Sequence, residues 1–260
     1  MIRRLLTIAT LALLPMSAVA EDDDPPIDPK AAEIVKTAFD FLAGQPAVQV
    51  NWFITYDRIF EGRERVTFVR SGANTLARGK GFRSYAEHEN QVREYVYDGQ
   101  TFTVAVPERD FYARAPAAGD FDTLVDDLKE RFDLVLPLWS IMSASSSGDF
   151  FADVERASYL GTTLINGRSA HHIAFSEYSE DFQVWIAADE ERPVPLMIVG
   201  TDPYEQGWPG YHAYLYDWNF APELGDDFFA FAPDENDIEI GFSNLAIDPV
   251  QGEPVKRDAQ

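Results

Sequence analysis

Cysteine is absent from this chain of 260 residues. The fold therefore contains no disulfide and must depend on an ordinary hydrophobic core. With 46% hydrophobic and 13% aromatic residues, the chain has enough apolar side chains to build one. The absence also excludes a lipid-modified cysteine as a membrane anchor after export.

Basic residues are scarce, because 21 Lys and Arg residues stand against 44 Asp and Glu residues, a net charge of −23. No basic cluster offsets the acidic excess. Such a chain repels nucleic acid and anionic membrane surfaces, so neither is expected as a partner. The simplest interpretation of the acidity is that it keeps the protein soluble.

Long hydrophobic runs are also missing, apart from residues 5–16. That run is shorter than the roughly 20 residues that a membrane-spanning helix needs. It follows two arginines and precedes Ala18-Val19-Ala20, the small-x-small pattern of a signal-peptidase site. We predict a signal peptide at residues 1–20, cleaved to give a periplasmic chain from about Glu21, with an uncleaved anchor as the alternative. Cleavage leaves 19 basic and 44 acidic residues, a net charge of −25. The choice between Sec and twin-arginine export stays open.

Hydrophobic spacing changes along the mature chain. Residues 21–27 form an acidic, proline-containing leader, predicted to be flexible. Asp28-Pro29 is typical of a helix start, and apolar residues follow at helical spacing up to Gly44. The period then becomes two residues, which is typical of half-buried strands. Val48, Val50, Trp52, Ile54 and Tyr56 share one face of the first strand.

A helical insert interrupts the strands at residues 120–143, where apolar residues return to helical spacing. A serine-rich link follows at residues 143–148, and strand periodicity resumes near Tyr159. The tail, residues 243–260, is polar and predicted to be flexible. This order predicts one α+β domain over residues 28–242. We expect a single curved antiparallel sheet of about 11 strands, covered by the N-terminal helix and the central insert.

Asp98-Gly99, placed between two alternating runs, predicts a β-hairpin with a type I′ turn. A two-residue turn at this position places Tyr95 opposite Phe102 on the partner strand.

Signatures of catalysis and metal binding are missing as well. The sequence has no GxSxG elbow, Walker loop, GxGxxG or HExxH. His171 and His172 are adjacent, and neighbouring side chains on a strand point to opposite faces, so one metal ion cannot bind both unless the strand is bulged. We interpret both histidines as structural and expect no catalytic residue, cofactor or metal. A metal-assisted hydrolase that uses either histidine is the least favoured hypothesis.

Aromatic and apolar residues give the best candidates for a ligand site. A curved sheet covered by helices is a usual place for an apolar pocket. The cavity candidates are Trp52, Ile54, Tyr56, Tyr95, Phe102, Trp139 and Met142. These side chains are equally compatible with an ordinary core, so both interpretations stay open.

Several segments in a fixed order resemble a bacterial family of predicted periplasmic proteins, known as a domain of unknown function. They include DPKAAEIVKTAFDFLAG, YVYDGQTFTVAVPERDFYA, YLGTTLINGRSAHHIAF and YDWNFAPELGDDFFAFAPDE, within residues 28–240. The layout is also similar to the LolA/LolB-type lipoprotein-carrier fold, which periplasmic sensors such as RseB share. That resemblance implies a half-open β-barrel with an apolar cavity under its helices. No functional residue of the carriers can be matched to this chain.

The favoured hypothesis is a soluble periplasmic protein that binds or carries a lipid, a lipoprotein acyl chain or another hydrophobic ligand without catalysis. The alternative is a protein-interaction or sensor module of the RseB type, with another envelope protein as its partner. Its acidic surface would meet a basic partner in a strongly salt-dependent complex.

Overall fold

The computed structural model describes residues 26–88, 91–143 and 151–242. The predicted signal peptide, residues 21–25 of the leader, residues 144–148 of the serine-rich link and the tail lie outside the described residues. Neither α-helix in the described part of the chain is long and apolar enough to cross a membrane.

Helix α1 (Pro29–Ala43) begins where the sequence predicts. The Asp28 carboxylate accepts a hydrogen bond from the Lys30 backbone amide at 2.8 Å, and Pro29 occupies the first turn. Helix α2 (Phe121–Phe132) starts in the same way, because the Asp120 carboxylate accepts from the Thr123 amide at 2.9 Å. Two 3₁₀ helices, at Pro107–Arg109 and Trp139–Ile141, complete the helical elements of the described residues.

Twelve strands form one sheet. They are β1 (Ala47–Phe60), β2 (Glu64–Ala77), β3 (Gly81–His88), β4 (Gln91–Tyr97), β5 (Thr101–Val106), β6 (Phe111–Pro116), β7 (Val154–Ile165), β8 (Arg168–Glu177), β9 (Asp181–Ala187), β10 (Pro195–Thr201), β11 (Gly210–Asn219) and β12 (Ile238–Glu239).

The spatial order of the strands is β12-β6-β5-β4-β3-β2-β1-β11-β10-β9-β8-β7. All neighbours are antiparallel except β12, which pairs with β6 in parallel. The sheet is curved and its two edges, β12 and β7, stay apart, so the predicted α+β fold with an unclosed sheet is confirmed. The twelfth strand was not predicted, because β12 has only two residues and two residues show no alternation.

The inner face of the sheet is the one predicted from β1. Val48, Val50, Trp52, Ile54 and Tyr56 are all at most 4% exposed. They pack with apolar residues of both α-helices, including Val35 of α1 and Leu124 of α2, in the main core. The helices therefore lie on the inner face, and the period-2 alternation identified that face correctly.

The β4–β5 hairpin differs from its prediction. Gly99 and Gln100 are the central turn residues, and the Asp98 carboxylate accepts hydrogen bonds from the amides of Gln100 at 2.9 Å and Thr101 at 2.7 Å. Asp98 therefore precedes the turn centre instead of occupying it, and Gly99 alone adopts a positive φ of 92°. The register consequently shifts by two residues.

That shift changes the partners that were predicted across the hairpin. Phe102 lies opposite Tyr97, and Tyr95 lies opposite Val104. The inward face is unaffected, because a shift of two residues preserves the alternation.

After α2 the chain passes over the inner face as the roof segment, defined here as residues 134–142. Asp133 ends α2 in the left-handed conformation, with φ of 53°, and Leu138 adopts φ of 51° in the middle of the segment. Leu136 and Met142 are buried against the sheet. Helix α2 therefore covers only the first half of the predicted helical insert, and the roof segment contains a single 3₁₀ turn, at Trp139–Ile141.

Candidate ligand-binding cavity

A cavity of about 1310 Å³ lies between the roof segment and one end of the inner face. Strands β1–β4 form one part of its sheet wall, and β10, β11 and the β8–β9 turn form the other. Phe60, Asp202 and Glu205 stand at its edge and are exposed, so the cavity opens to solvent. Its volume exceeds the upper end, roughly 1,000 Å³, of typical small-molecule pockets.

One wall of the cavity is apolar. Two elements supply its apolar side chains, the roof segment and the end of β1, which also brings Asp57 and Arg58 to the cavity lining. The apolar side chains are Ile54, Ile59, Phe60, Leu136, Leu138 and Trp139. Because Trp139 is only half-buried, its ring remains available to a molecule in the cavity.

The wall formed by β2–β4 carries two arginines, Arg70 and Arg93. The guanidinium carbon of Arg70 lies 5.3 Å from the centre of the Tyr56 ring, within the range of a cation–π contact. Tyr56 is also hydrogen-bonded to His88. Burial lowers the pKa of Arg93 and raises the pKa of Tyr95. This wall is therefore the positively charged one.

The opposite wall is acidic. Glu180, in the β8–β9 turn, is partly buried, and burial together with the nearby Glu177 raises the pKa of its carboxyl group. Tyr211 on β11 lines the same wall, and burial raises the pKa of its phenol, reinforced by Glu180. With Asp202 and Glu205 at the edge, charge changes sign across the cavity.

The ionisation of Glu180 makes a testable contribution to stability. Below the usual glutamate pKa of 4.5 the carboxyl group is protonated in both the folded and unfolded states and contributes nothing. As pH rises through the higher folded-state pKa, the buried carboxyl group ionises at a cost. Glu180→Gln should therefore gain stability over the wild type between pH 4 and pH 8, measured by urea unfolding. The exposed Glu235→Gln is the control. A Glu180→Gln protein less stable than the wild type at pH 8 would contradict this assignment.

One side chain of β2 and one of the turn after β2 donate hydrogen bonds to the roof segment. Asn74 on β2 is fully buried, and its amide nitrogen donates to the Pro137 carbonyl at 2.7 Å. Its side-chain oxygen accepts from the Trp52 indole at 3.1 Å and the Ser84 hydroxyl at 2.7 Å. Arg78 donates to the Met142 carbonyl at 3.1 Å. These bonds fix the height of the roof over the inner face.

The structure places four of the seven cavity candidates, Ile54, Tyr56, Tyr95 and Trp139, on the cavity wall. The other three do not line the cavity. Trp52, Phe102 and Met142 are at most 1% exposed and belong to the main core. Contact of the four wall residues with a ligand stays a prediction.

Trp52 is enclosed because its ring lies against Gly72 on the neighbouring strand. A Cβ atom at position 72 would come within 2.4 Å of the indole ring and 2.1 Å of the Tyr85 carbonyl. The glycine thus provides space for the ring, which then reaches Asn74. This packing explains why the tryptophan is part of the core and not of the cavity wall.

Sequence reasoning missed the charged walls of the cavity. The sequence does indicate the positively charged wall. Arg93 lies two residues before Tyr95 and four before Tyr97 on β4, so it shares their inward-facing side of the strand. Arginine at such a position is uncommon unless it is paired. No pattern in the sequence brings Glu180 or Tyr211 to the same cavity, since the turn and strand that carry them are far from β4 in the chain.

The two adjacent histidines have separate surroundings. His171 lies on the same face of β8 as Ile173, a residue of the main core, and its Nδ1 is 3.2 Å from the Tyr159 hydroxyl. His172 stacks on Trp185 with ring centres 4.1 Å apart, and its Nε2 is 2.9 Å from the Gln183 side-chain oxygen. Burial, assisted by the charge of Lys30, lowers the pKa of His171.

The histidines therefore contact different strands and different side chains. Within residues 26–88, 91–143 and 151–242, no group of three or more His, Asp or Glu side chains is arranged to hold a metal ion.

The family model described as "Predicted periplasmic protein (DUF2092)" matches residues 31–243, most of the chain. The family expected from the sequence is thereby confirmed. The sequence matches no protein with a curated description.

Three solved structures illustrate the similarity in fold. LprF from Mycobacterium bovis is 10% identical, with 76% of this chain and 96% of that one covered and a TM-score of 0.45. A LolA superfamily protein from Nitrosomonas europaea is 12% identical, with coverages of 77% and 97% and a TM-score of 0.35. MucB in complex with MucA(peri) is 10% identical, with coverages of 78% and 60% and a TM-score of 0.42.

Proposed function

The chain belongs to the DUF2092 family of predicted periplasmic proteins, and on this premise we propose that it binds and carries a lipid-like ligand in the cavity under the roof segment. The ligand is held without chemical conversion. The mature protein, from about Glu21, acts in the periplasm after its signal peptide is removed.

The observation that carries this proposal is the size of the cavity together with its apolar wall. Apolar burial contributes roughly 25 cal/mol per Å². An acyl chain that buries about 300 Å² would gain about 7.5 kcal/mol before the costs of immobilisation, and a micromolar complex corresponds to about 8 kcal/mol. The side chains of β1 and the roof segment supply that surface.

The attachment of the roof segment favours reversible access of a ligand. The segment is held by apolar packing and by side-chain hydrogen bonds from Asn74 and Arg78, and it is not a strand of the sheet. It can therefore move without breaking the backbone pairing of the sheet. We propose that a long ligand enters by displacing the half-buried Trp139 side of the roof.

Titration of the mature protein with a fluorescent acyl probe tests the proposal. We expect saturation at one probe per chain and displacement by an unlabelled amphiphile of the same chain length. Absence of saturable binding at concentrations up to 100-fold above the expected micromolar range would reject the proposal.

A further inference from the structure

We propose that Arg93 and Arg70 form a subsite for the anionic head group of the ligand, so that the natural ligand is an amphiphile with a carboxylate or a phosphate at one end. This inference rests on the proposed function and specifies the chemical class of its ligand. Both arginines line the cavity, on β4 and β2 respectively.

Arg93 is a buried guanidinium group that lacks a counter-charge. Arg93 is 6% exposed, and its Nη1 atom has no hydrogen-bond partner in the described part of the chain. No Asp or Glu among the described residues forms an ion pair with it. The ionisable groups acting on it are the Tyr95 phenol and a second cation, Arg109.

A charge in this position is costly. A buried charge normally requires an ion pair and satisfied hydrogen bonds, and a guanidinium group does not escape the cost by losing its proton. The planar donor fork of arginine matches a carboxylate or a phosphate. An anion placed against Nη1 would therefore supply what Arg93 lacks.

The sheet register leaves room for such an anion. Arg93 pairs with Ala86, and Ala86 pairs with Gly72, so two small residues lie beside the arginine on the next two strands. Arg70 is on β2, one inward-facing position from Gly72 toward the cavity edge. The Trp52 ring takes the space beside Gly72, so the area that the two arginines share is the one over Ala86, which lines the cavity with them.

The remainder of the cavity gives the ligand a direction. Glu180, Asp202 and Glu205 repel an anion from the far wall, leaving the wall of β2–β4 as its favourable position. The apolar side chains of β1 and the roof segment then accommodate the hydrocarbon part. An amphiphile with its head group at Arg93 and its hydrocarbon chain along Trp139 would contact the positively charged wall and the apolar wall together.

Competition against the fluorescent acyl probe tests this inference with hexadecanoate, hexadecyl phosphate and hexadecanol, which share one chain length. We expect each charged amphiphile to bind the wild type at least 10-fold more tightly than the alcohol. Arg93→Gln should reduce this preference to less than threefold. Arg93→Lys, which keeps the charge without the fork, should retain part of it. Arg114→Gln is the matched control, because Arg114 is exposed on β6 and pairs with Glu239.

The outcomes separate the two proposals. Equal affinity of wild type for acid and alcohol would overturn the head-group subsite and leave lipid binding intact. Failure of all three amphiphiles to compete would overturn both. Displacement of hexadecanoate by millimolar inorganic phosphate alone would show that the subsite takes a free anion, which also contradicts the inference. Arg93→Met provides a second variant if the glutamine protein does not fold, with the same loss of preference expected.

Discussion

Replacing Asn74 with leucine is expected to lower the free energy of unfolding by about 4 kcal/mol, because two buried groups and one partly buried carbonyl lose their partner together. These are the Trp52 indole N–H, the Ser84 hydroxyl and the Pro137 carbonyl. Each unsatisfied buried group costs roughly 1–3 kcal/mol, and leucine has a similar size but cannot hydrogen-bond to any of them. Urea unfolding measures the loss.

A control for this prediction is Asn51→Leu. Asn51 lies on the outer face of β1, where its side chain has one hydrogen bond, of 3.2 Å, to the exposed Asp217. We expect a loss below about 1 kcal/mol. In Asn74→Leu, amide hydrogen exchange should also accelerate in the roof segment. A variant within 1 kcal/mol of wild type, with an unchanged roof, would show that Asn74 does not hold the segment in place.

Replacing Trp139 with glutamate is expected to weaken binding of the acyl probe at least 100-fold. The carboxylate would lie in the apolar wall and would lose its hydrating water whenever an acyl chain enters. A desolvation cost of about 2.7 kcal/mol corresponds to a 100-fold loss of affinity. Since Trp139 is only half-buried, the empty protein can hydrate the charge and remain folded.

Trp208→Glu is the matched control, because Trp208 is 68% exposed and does not line the cavity. We expect its probe affinity to equal that of the wild type. The sequence made Trp52 a cavity candidate as well, but Trp52→Glu should have a different effect. Because Trp52 is fully buried in the core, the expected result is unfolding instead of a specific loss of binding. Normal probe binding by folded Trp139→Glu would show that the ligand does not occupy this cavity.

The sequence identified those parts of the fold in which hydrophobic residues recur at a constant spacing over many residues. The alternation of β1 and the capped start of α1 are local patterns, and the structure shows both where they were expected. The order of these elements predicted a curved sheet covered by the insert, and the family resemblance added a half-open barrel with a cavity under its helices.

Features that depend on a single side chain were not predictable in this way. The β4–β5 register depends on Asp98 preceding the turn centre, and the path of the roof segment depends on left-handed residues such as Leu138. Nothing in the sequence distinguishes Trp52 from Trp139. In the structure, Gly72 leaves space in which the Trp52 ring is buried, whereas Trp139 stays half-buried at the cavity. The charge on the cavity walls follows from strand neighbours that are distant in the chain.

Whether the protein holds an anionic amphiphile decides between its proposed roles. Native mass spectrometry of the mature protein, purified from the periplasm without detergent and followed by organic extraction, tests this directly. We predict a bound species of one anionic amphiphile per chain that leaves on extraction. An empty protein with no extractable lipid would contradict the account and favour the protein-interaction module, and a retained metal ion would contradict it in favour of a metal-assisted activity.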